Sequence, residues 1–367
     1  ANLNDVVTVG KKAAGTGGSR LGLKTNDKIT VHDLLYGLML RSGNDAAECL
    51  AQTLVSRNEF IDLMNKTDFC NVILNDTTKT RISLKIQDGC DNRCAYCIIP
   101  YVRGSIRSKN FLEAVNEIKD LVLKGHKEIV FTGINTGAYG KEHGKYDLTD
   151  LIREISKIDG LDRIRVSSIE ITEIDDKFIE EMRVNPKLCA HLHVSLQSGS
   201  ERVLQIMNRK YTKAIYLEKI NKLKNARPEM NLTTDVIVGF PTETEEEFLE
   251  CVDYCKEVGF SKIHVFPYSM REGTKAASMS GQIPNNIKKD RARRLIEIDN
   301  DLQLEFNKKF IGTKVNVLVE EVIDGKSIGH TQNFLKVLVD KELATNTCYD
   351  VIITDANIDY VVGEEEK

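Results

Sequence analysis

Three cysteines within eight residues, Cys90, Cys94 and Cys97, are the densest chemistry in the chain. Their spacing, C-x3-C-x2-C, puts three soft thiolate donors on one short loop, a donor set that suits zinc or iron–sulfur centres. Structural zinc sites and iron–sulfur clusters both generally draw on four protein ligands. No fourth cysteine lies near, the closest on either side being Cys70 and Cys189. A three-thiolate site leaves one coordination position open, which is a catalytic rather than a structural feature; a zinc site completed by a distant His or Cys is the alternative. The remaining thiols carry less. Cys251 and Cys255 stand one helical turn apart in an acidic amphipathic stretch, where core packing accounts for them. Cys189 and Cys348 show no pattern, and His191 and His193 share one strand face, where packing is the plainer role.

The elements that must hold this loop alternate. From Arg81 to Tyr268, short β-rich runs (82–87, 128–132, 163–169, 191–197, 233–238 and 262–268) are separated by helical patterns at 148–158, 175–183, 201–207, 212–225 and 244–258. The helix after Asn110 is the clearest, with Phe111, Leu112, Val115, Ile118 and Val122 on one face, a capping pattern Asn110/Glu113 and a stop at Gly125. Strands alternating with helices predict a parallel sheet covered by helices. Six such units predict an incomplete β/α barrel, with the strand ends Cys90, Gly133, Glu170, Gln197, Gly239 and Ser269 gathered at one rim. Beyond Phe310 the texture changes to short strands (313–319, 334–339 and 349–354) broken by Gly, Asp and Asn, which predicts a small all-β barrel. A helix over 288–309 carries Lys288, Lys289, Arg291, Arg293 and Arg294, either a solvated face or part of a basic surface.

Composition narrows the class. The chain has 367 residues, enough for two or three domains, with 41% apolar and 29% charged residues, as in soluble globular proteins. No apolar run reaches the roughly 18–20 residues needed to span a bilayer, and residues 1–10 lack the features of a signal peptide. The chain begins at Ala1, not Met, so a preceding segment is expected to have been removed or left out. The acidic end Glu364-Glu365-Glu366-Lys367 is the one stretch that reads as disordered. The net charge of −4 excludes bulk electrostatic attraction to nucleic acid, so any such binding needs a local basic surface. Nine cysteines in a chain this long are not a disulfide scaffold and point to a reducing, cytoplasmic setting with no membrane.

With these residues in view, the chain from about Lys79 onward resembles the radical S-adenosylmethionine (SAM) enzymes, whose signature is C-x3-C-x2-C after the first strand of a β/α barrel. The stretch Lys85–Cys90 and the run from Cys97 through Pro100, Arg103 and Arg107 to Ser108 are similar to the methylthiotransferase branch. The segments Phe131–Gly140 and Ser167–Glu170 resemble the members that act on N6-threonylcarbamoyladenosine in tRNA. Further similarity lies in His191–Ser200 and Asp235–Pro241, and the terminal β segment, including Gly329–Phe334, resembles the TRAM domain that holds tRNA. The resemblance implies a 4Fe-4S cluster on Cys90, Cys94 and Cys97, with SAM on its open iron. It also implies Tyr96 beside the SAM adenine, and Thr132, Gly133, Ser168, Glu170, Gln197 and Asp235 along the SAM-facing rim. Arg103 and Arg107 become candidate phosphate contacts. Implied partners are tRNA and a one-electron donor such as flavodoxin or ferredoxin, while the oligomeric state stays open.

The front of the chain reads differently. Methylthiotransferases carry an N-terminal domain with three more cysteines for an auxiliary cluster; before Cys90 this sequence offers Cys49 and Cys70 in no matching context. Residues 1–66 resemble part of a D-alanyl-D-alanine carboxypeptidase, the penicillin-binding-protein fold, through Ile29–Ala47 and its Ser42-Gly43-Asn44 element. That chemistry also needs S-x-x-K and K-T-G. Neither occurs, so Ser42 lacks an activating lysine and peptidase activity is not expected. A piece this small, with helices expected at 31–40 and 45–56, is marginal alone, and a fused or misassembled reading frame explains it better than a two-function enzyme. The expected division is a carboxypeptidase-like fragment at 1–66, a linker at 67–80, a radical SAM core at 81–305 and a TRAM-like domain at 306–367. Three functions follow: a tRNA methylthiotransferase, a SAM-cleaving chimera unable to insert sulfur, or a tRNA-binding module without catalysis.

Overall fold

The computed structural model describes residues 2–17, 19–41, 43–54 and 80–366. Ser42, Cys70 and nearly all of the 67–80 stretch lie outside the described residues. The chain forms two compact units, Ala1–Asp68 and Phe69–Lys367.

In the first unit an antiparallel pair, Val6–Thr8 with Lys28–Thr30, accompanies the helices Val31–Arg41 and Asn44–Leu54. Val9, Ala13, Val31, Leu34, Ala46, Cys49 and Leu50 make a core of their own. Among the described residues one charge is buried there. The Asp45 carboxylate accepts the N–H groups of Leu21, Gly22, Leu23 and Ala46, which ties the 21–23 loop to the start of a helix.

The second unit is built on six parallel strand positions: Arg81–Lys85, Glu128–Thr132, Arg163–Ile169, His191–Val194, Asn231–Val238 and Lys262–Pro267. The third is interrupted at Ser167, so that Arg163–Val166 pairs with the second strand and Ser168–Ile169 with the fourth. Pairing runs in sequence order from the first strand to the sixth. Among the described residues those two edge strands do not pair with each other, which is the expected open half-barrel. Alternation explains its two faces. Ile82, Leu84, Ile129, Phe131, Leu192 and Val194 point outward into the helix-covered core, while the residues between them, such as Ser83, Val130 and His193, face the lumen.

The helices begin where the sequence provides caps. The Asn110 side chain accepts from Leu112 and Glu113 N–H, and reciprocal capping boxes form at Asp147/Asp150 and Thr244/Glu247. The helix ending at Val258 stops at Gly259, whose φ of 68° any side chain would strain. No described helix is long and apolar enough to cross a membrane.

The helix Asn285–Lys308 leads into a closed five-stranded barrel made of Lys314–Ile323, Lys326–Thr331, Lys336–Val339, Cys348–Ala356 and Val361–Glu365, as in a TRAM-like domain. Two of these strands were not expected. Lys326–Thr331 is polar and contains Gly329, where a Cβ would sit 2.2 Å from the Leu318 carbonyl oxygen, so close backbone packing replaces an apolar signal. The acidic tail, expected to be disordered, instead supplies the last strand: Glu364 and Glu365 pair with Ile352 and Val351, and Lys341 and Lys314 hold Glu365 and Glu366. Phe334 is also not in a strand, contrary to the 334–339 reading. Its φ of 64° turns the chain so that its ring leaves the barrel.

That ring sits at the N-terminal ends of the half-barrel strands. Arg81 and Arg165 lie 5.0 and 4.7 Å from its centroid, the His191 ring packs tilted against it at 4.8 Å and His330 stacks at 4.6 Å. Around it, Arg163 donates to the carbonyls of His330 and Asn316 at 2.8 and 3.0 Å, and Arg165 donates to Gln332 O at 3.1 Å. Asn231 and Asn333 each donate their amide to a main-chain oxygen across the junction, Asn333 O and Glu229 O respectively. The Gly329–Phe334 stretch therefore fastens the small barrel beneath the half-barrel.

Candidate metal and cofactor site

The opposite ends of the strands carry the cysteine loop. The first strand runs into Gln87-Asp88-Gly89 and then Cys90. Gly89 has φ 72°, and a Cβ there would lie 2.0 Å from Ser105 O, so the turn that presents Cys90 requires glycine. The loop is pinned by backbone bonds: Cys90 N–H to Gly104 O, Ala95 N–H to Met207 O and Ala276 N–H to Ala95 O. Beneath it the fully buried Gln87 donates to the carbonyls of Asp88 and Gly89 and accepts the Asn135 N–H at 2.8 Å. One amide thus sets the cysteine loop against the loop after the second strand. Sequence reading did not single it out.

Asp88 organises the base of the turn. Burial works to raise its carboxyl, but Lys85 at 2.7 Å, the Gly89 N–H and Arg103 hold it below the ordinary carboxylate range. Arg103 and Arg107, expected as phosphate contacts, lie 3.9 and 3.6 Å from Asp88, and Arg107 also donates to Arg103 O. Both brace this turn. Of the basic helix, Lys288 and Arg291 are buried and Arg291 bonds Glu243, while Arg293 pairs with Asp290 on its own helix and Arg294 with Glu245 at the start of the helix Glu245–Val258.

Cys90, Cys94 and Cys97 are free and partly exposed. Burial pushes the Cys90 thiol up to about 11, with Cys94, Glu170 and Cys97 adding to the rise, and burial raises Cys97 as well. The thiols are close enough to oppose one another's ionisation, a situation a bound cationic centre relieves. Among the described residues no three His, Cys, Asp or Glu side chains converge to hold one metal ion. A multi-iron cluster differs in that each thiolate takes a separate iron, so its ligands stand apart. The donor set, all sulfur with no acidic or imidazole ligand among them, fits a cluster.

The residue that joins this loop to the rim is Arg209, which the sequence reading missed. Its side chain is 3% exposed. Nη1 lies 3.4 Å from the Cys94 Sγ and 3.5 Å from the Tyr96 hydroxyl; Nη2 bonds the Glu170 carboxylate; Nε lies 3.2 Å from the Tyr211 hydroxyl. Tyr211 in turn donates to Leu196 O at 2.5 Å. Arg209 thus brings two predicted SAM contacts, Tyr96 and Glu170, to the sulfur of the predicted ligand Cys94.

The other predicted positions lie at the ends of neighbouring strands, except Asp235, which sits mid-strand opposite His264. Tyr96 meets Phe240 edge to face at 6.4 Å. Thr132 closes the second strand and accepts the Ile86 N–H through its carbonyl. At Gly133 a Cβ would come within 2.9–3.0 Å of Gln87, so a larger residue would displace the tether. Ser168 pairs with His193 in the sheet. Gln197, at φ 68°, exchanges backbone bonds with Asp235 O and Ile237 N–H. Asp235 carboxylate faces His193 Nε2 at 3.2 Å, and the same ring's Nδ1 lies 3.0 Å from Thr233 Oγ1. Gly239 donates its N–H to the Glu243 carboxylate. Cys251 and Cys255 are buried, with Gly199 N–H on Cys251 Sγ at 3.0 Å, and pack in the core.

The radical SAM superfamily matches residues 84–255, and the D-alanyl-D-alanine carboxypeptidase family matches residues 1–81. The chain is 44% identical over 268 residues to the Threonylcarbamoyladenosine tRNA methylthiotransferase MtaB of Bacillus subtilis, covering 71% of this chain and 59% of that protein. It is 41% identical over 286 residues to the MtaB of Rickettsia prowazekii, covering 77% and 67%. It is 43% identical over 253 residues to the tRNA-2-methylthio-N(6)-dimethylallyladenosine synthase of Acetivibrio thermocellus, covering 69% and 53%. The chain spans about 60% of the length of the curated relatives it matches.

Proposed function

The chain belongs to the radical SAM methylthiotransferase family, and we propose that it adds a methylthio group to C2 of N6-threonylcarbamoyladenosine in tRNA. The observation that carries the reading is the three-thiol loop at the strand ends, with a buried guanidinium donating to one of its sulfurs. Cys90, Cys94 and Cys97 would hold a 4Fe-4S cluster and SAM would bind against it. When bound, that pair supplies one-electron radical chemistry.

The chain's own residues do the positioning. Arg209 offers a guanidinium matched to a carboxylate such as that of SAM, and its N–H on Cys94 orients the thiolate. Glu170 offers the complementary charge for an amino group. Tyr96, backed by Phe240, gives an aromatic surface for an adenine, and Gln197 and Asp235 offer polar groups for ribose hydroxyls. Gly89 and Gln87 keep the cysteine loop in register with the rim.

The branch of the family rests on two segments. Phe131–Gly140 and Ser167–Glu170 pack together: a Cβ on Gly137 would meet Ile169 and Glu173 at 2.6 Å. Relatives of both tRNA substrate types match at similar identity, so the resemblance of these segments, and not overall similarity, favours the threonylcarbamoyl substrate. The small barrel, read as a TRAM-like domain over 306–367, would meet tRNA through faces other than the Gly329–Phe334 junction. The setting is cytoplasmic, with flavodoxin or ferredoxin as electron donor.

The test is anaerobic reconstitution of the full chain with iron and sulfide, followed by reductant, SAM and hypomodified tRNA, with products read by mass spectrometry. 5′-Deoxyadenosine together with 2-methylthio-N6-threonylcarbamoyladenosine is the expected result. 5′-Deoxyadenosine alone would mark a radical centre without sulfur insertion, and neither product would sink the enzymatic reading.

A further inference from the structure

Below the strand-end rim the lumen widens into a cavity of about 610 Å3, floored by the small barrel. Four cations line it, Arg81, Arg165, Lys262 and Lys336, against one carboxylate, Asp359. The acids paired with three of these cations, Glu320, Glu128 and Asp299, are not part of the lining. Lys336 is exposed and has no ion-pair partner among the described residues.

Four imidazoles share the space, one of them, His330, already stacked on Phe334 and bonded to Glu320. His191 is buried to 7% exposure, and its Nδ1 has no hydrogen-bond partner among the described residues. Buried polar atoms are rarely left so, which marks the floor as a place for a polar guest. His193 connects the cavity to Asp235, partway up the fifth strand toward the rim, and His264 lies 5.6 Å from His193. Apolar lining is confined to Val130, Phe306, Phe334 and Leu335.

We propose that this cavity receives the N6 substituent of the substrate adenine and that the substituent it fits ends in a carboxylate. This rests on the methylthiotransferase reading above and deepens it by naming what separates one tRNA substrate from another. A carboxylate entering the cavity gains charge-assisted hydrogen bonds from the lining cations. A dimethylallyl group could meet Val130, Phe306, Phe334 and Leu335 but would displace water from the same cations and imidazoles without supplying a charge partner, so the site favours the acid.

The experiment measures binding of the full chain to four anticodon stem-loop RNAs that differ at one adenine: threonylcarbamoyl, its methyl ester, dimethylallyl and unsubstituted. The ester keeps the shape and removes the charge, so the RNA backbone contributes equally to both. Wild type should bind the free acid on the order of tenfold or more tighter than the ester or the dimethylallyl RNA. Lys336→Met should remove most of that preference, and His264→Leu should reduce it; among the described residues neither side chain has a hydrogen-bond or ion-pair partner to orphan. If Lys336→Met fails to fold, the acid-versus-ester comparison on the wild type decides alone. Equal binding of acid, ester and dimethylallyl RNAs overturns the cavity assignment and leaves the tRNA reading standing. Failure to bind any of the four RNAs overturns the tRNA reading, and the cavity inference with it.

Discussion

At the C-terminal ends of the strands one buried arginine, Arg209, reaches a cysteine sulfur, a carboxylate and two tyrosines. At the N-terminal ends two buried arginines, Arg163 and Arg165, reach main-chain carbonyls of the small barrel and share Glu128. A guanidinium stays charged in any protein environment, so each of these must be satisfied where it lies. At the floor the partners are fixed backbone oxygens, and the result is adhesion. At the rim the partners are a thiol, a carboxylate and phenol hydroxyls, and on the proposed function the result is a site. The same side chain thus serves stability or chemistry according to whether its acceptors are finished.

The sharpest way to break this comparison is at the cysteines. Cys94→Ala should bring bound iron and visible absorbance after reconstitution to background and abolish SAM cleavage. Retention of either would mean the rim does not depend on this thiol. Arg165→Met comes next, because it leaves Glu128 buried and under-paired. It should cost about 3–5 kcal/mol of stability in denaturant unfolding, while SAM binding by the folded fraction is unchanged; a stability loss under about 1 kcal/mol would remove the adhesive role. Arg209→Met should do the reverse. SAM affinity should fall roughly 10- to 100-fold, on the order of 1.5–3 kcal/mol for a charged hydrogen-bonding group, with the smaller effect on unfolding.

The smallest expected effect is a pH dependence at the floor. Burial, followed by Arg165, His193, His330 and Arg81, pushes His191 well below the ordinary imidazole value of 6.5. The unfolded chain therefore binds more protons than the folded one in the window between the two values. The contribution of neutral His191 is fully present above about 6.5 and is lost as pH falls toward the depressed folded value. Unfolding free energy should drop between pH 7.5 and 5.5, and His191→Phe should flatten part of that drop; identical slopes in both proteins would locate the titration elsewhere.

Much of the half-barrel could be read from sequence because its signals are local. Alternation in Arg81–Lys85, the caps at Asn110 and Thr244 and the Cys90–Cys97 spacing each concern neighbours in the chain. Arg209 lies 115 residues from Cys94 and carries no motif of its own. Only the folded chain brings the two together, and the same holds for Arg163 and the oxygens of 316 and 330. Gln87 was passed over since a strand-end glutamine looks ordinary until its three backbone partners are seen. The strand Lys326–Thr331 was invisible because Gly329 replaces side-chain packing with backbone contact. The final strand was masked by charge, since Glu365 within it and Glu366 just after it meet Lys341 and Lys314 from elsewhere in the barrel.

Because Arg163 and Arg165 grip main-chain oxygens, every amino acid at Gln332 presents the same handle. The side chains of the segment are held separately, His330 by Glu320 and Phe334, Thr331 by Asn333 and the Leu335 N–H, and Gln332 by the Pro186 carbonyl. Length matters more than any one of these contacts, as a single inserted residue between His330 and Gln332 would move their main-chain acceptors out of step with two arginines fixed on one strand. Among descendants of this chain, the segment should hold its count.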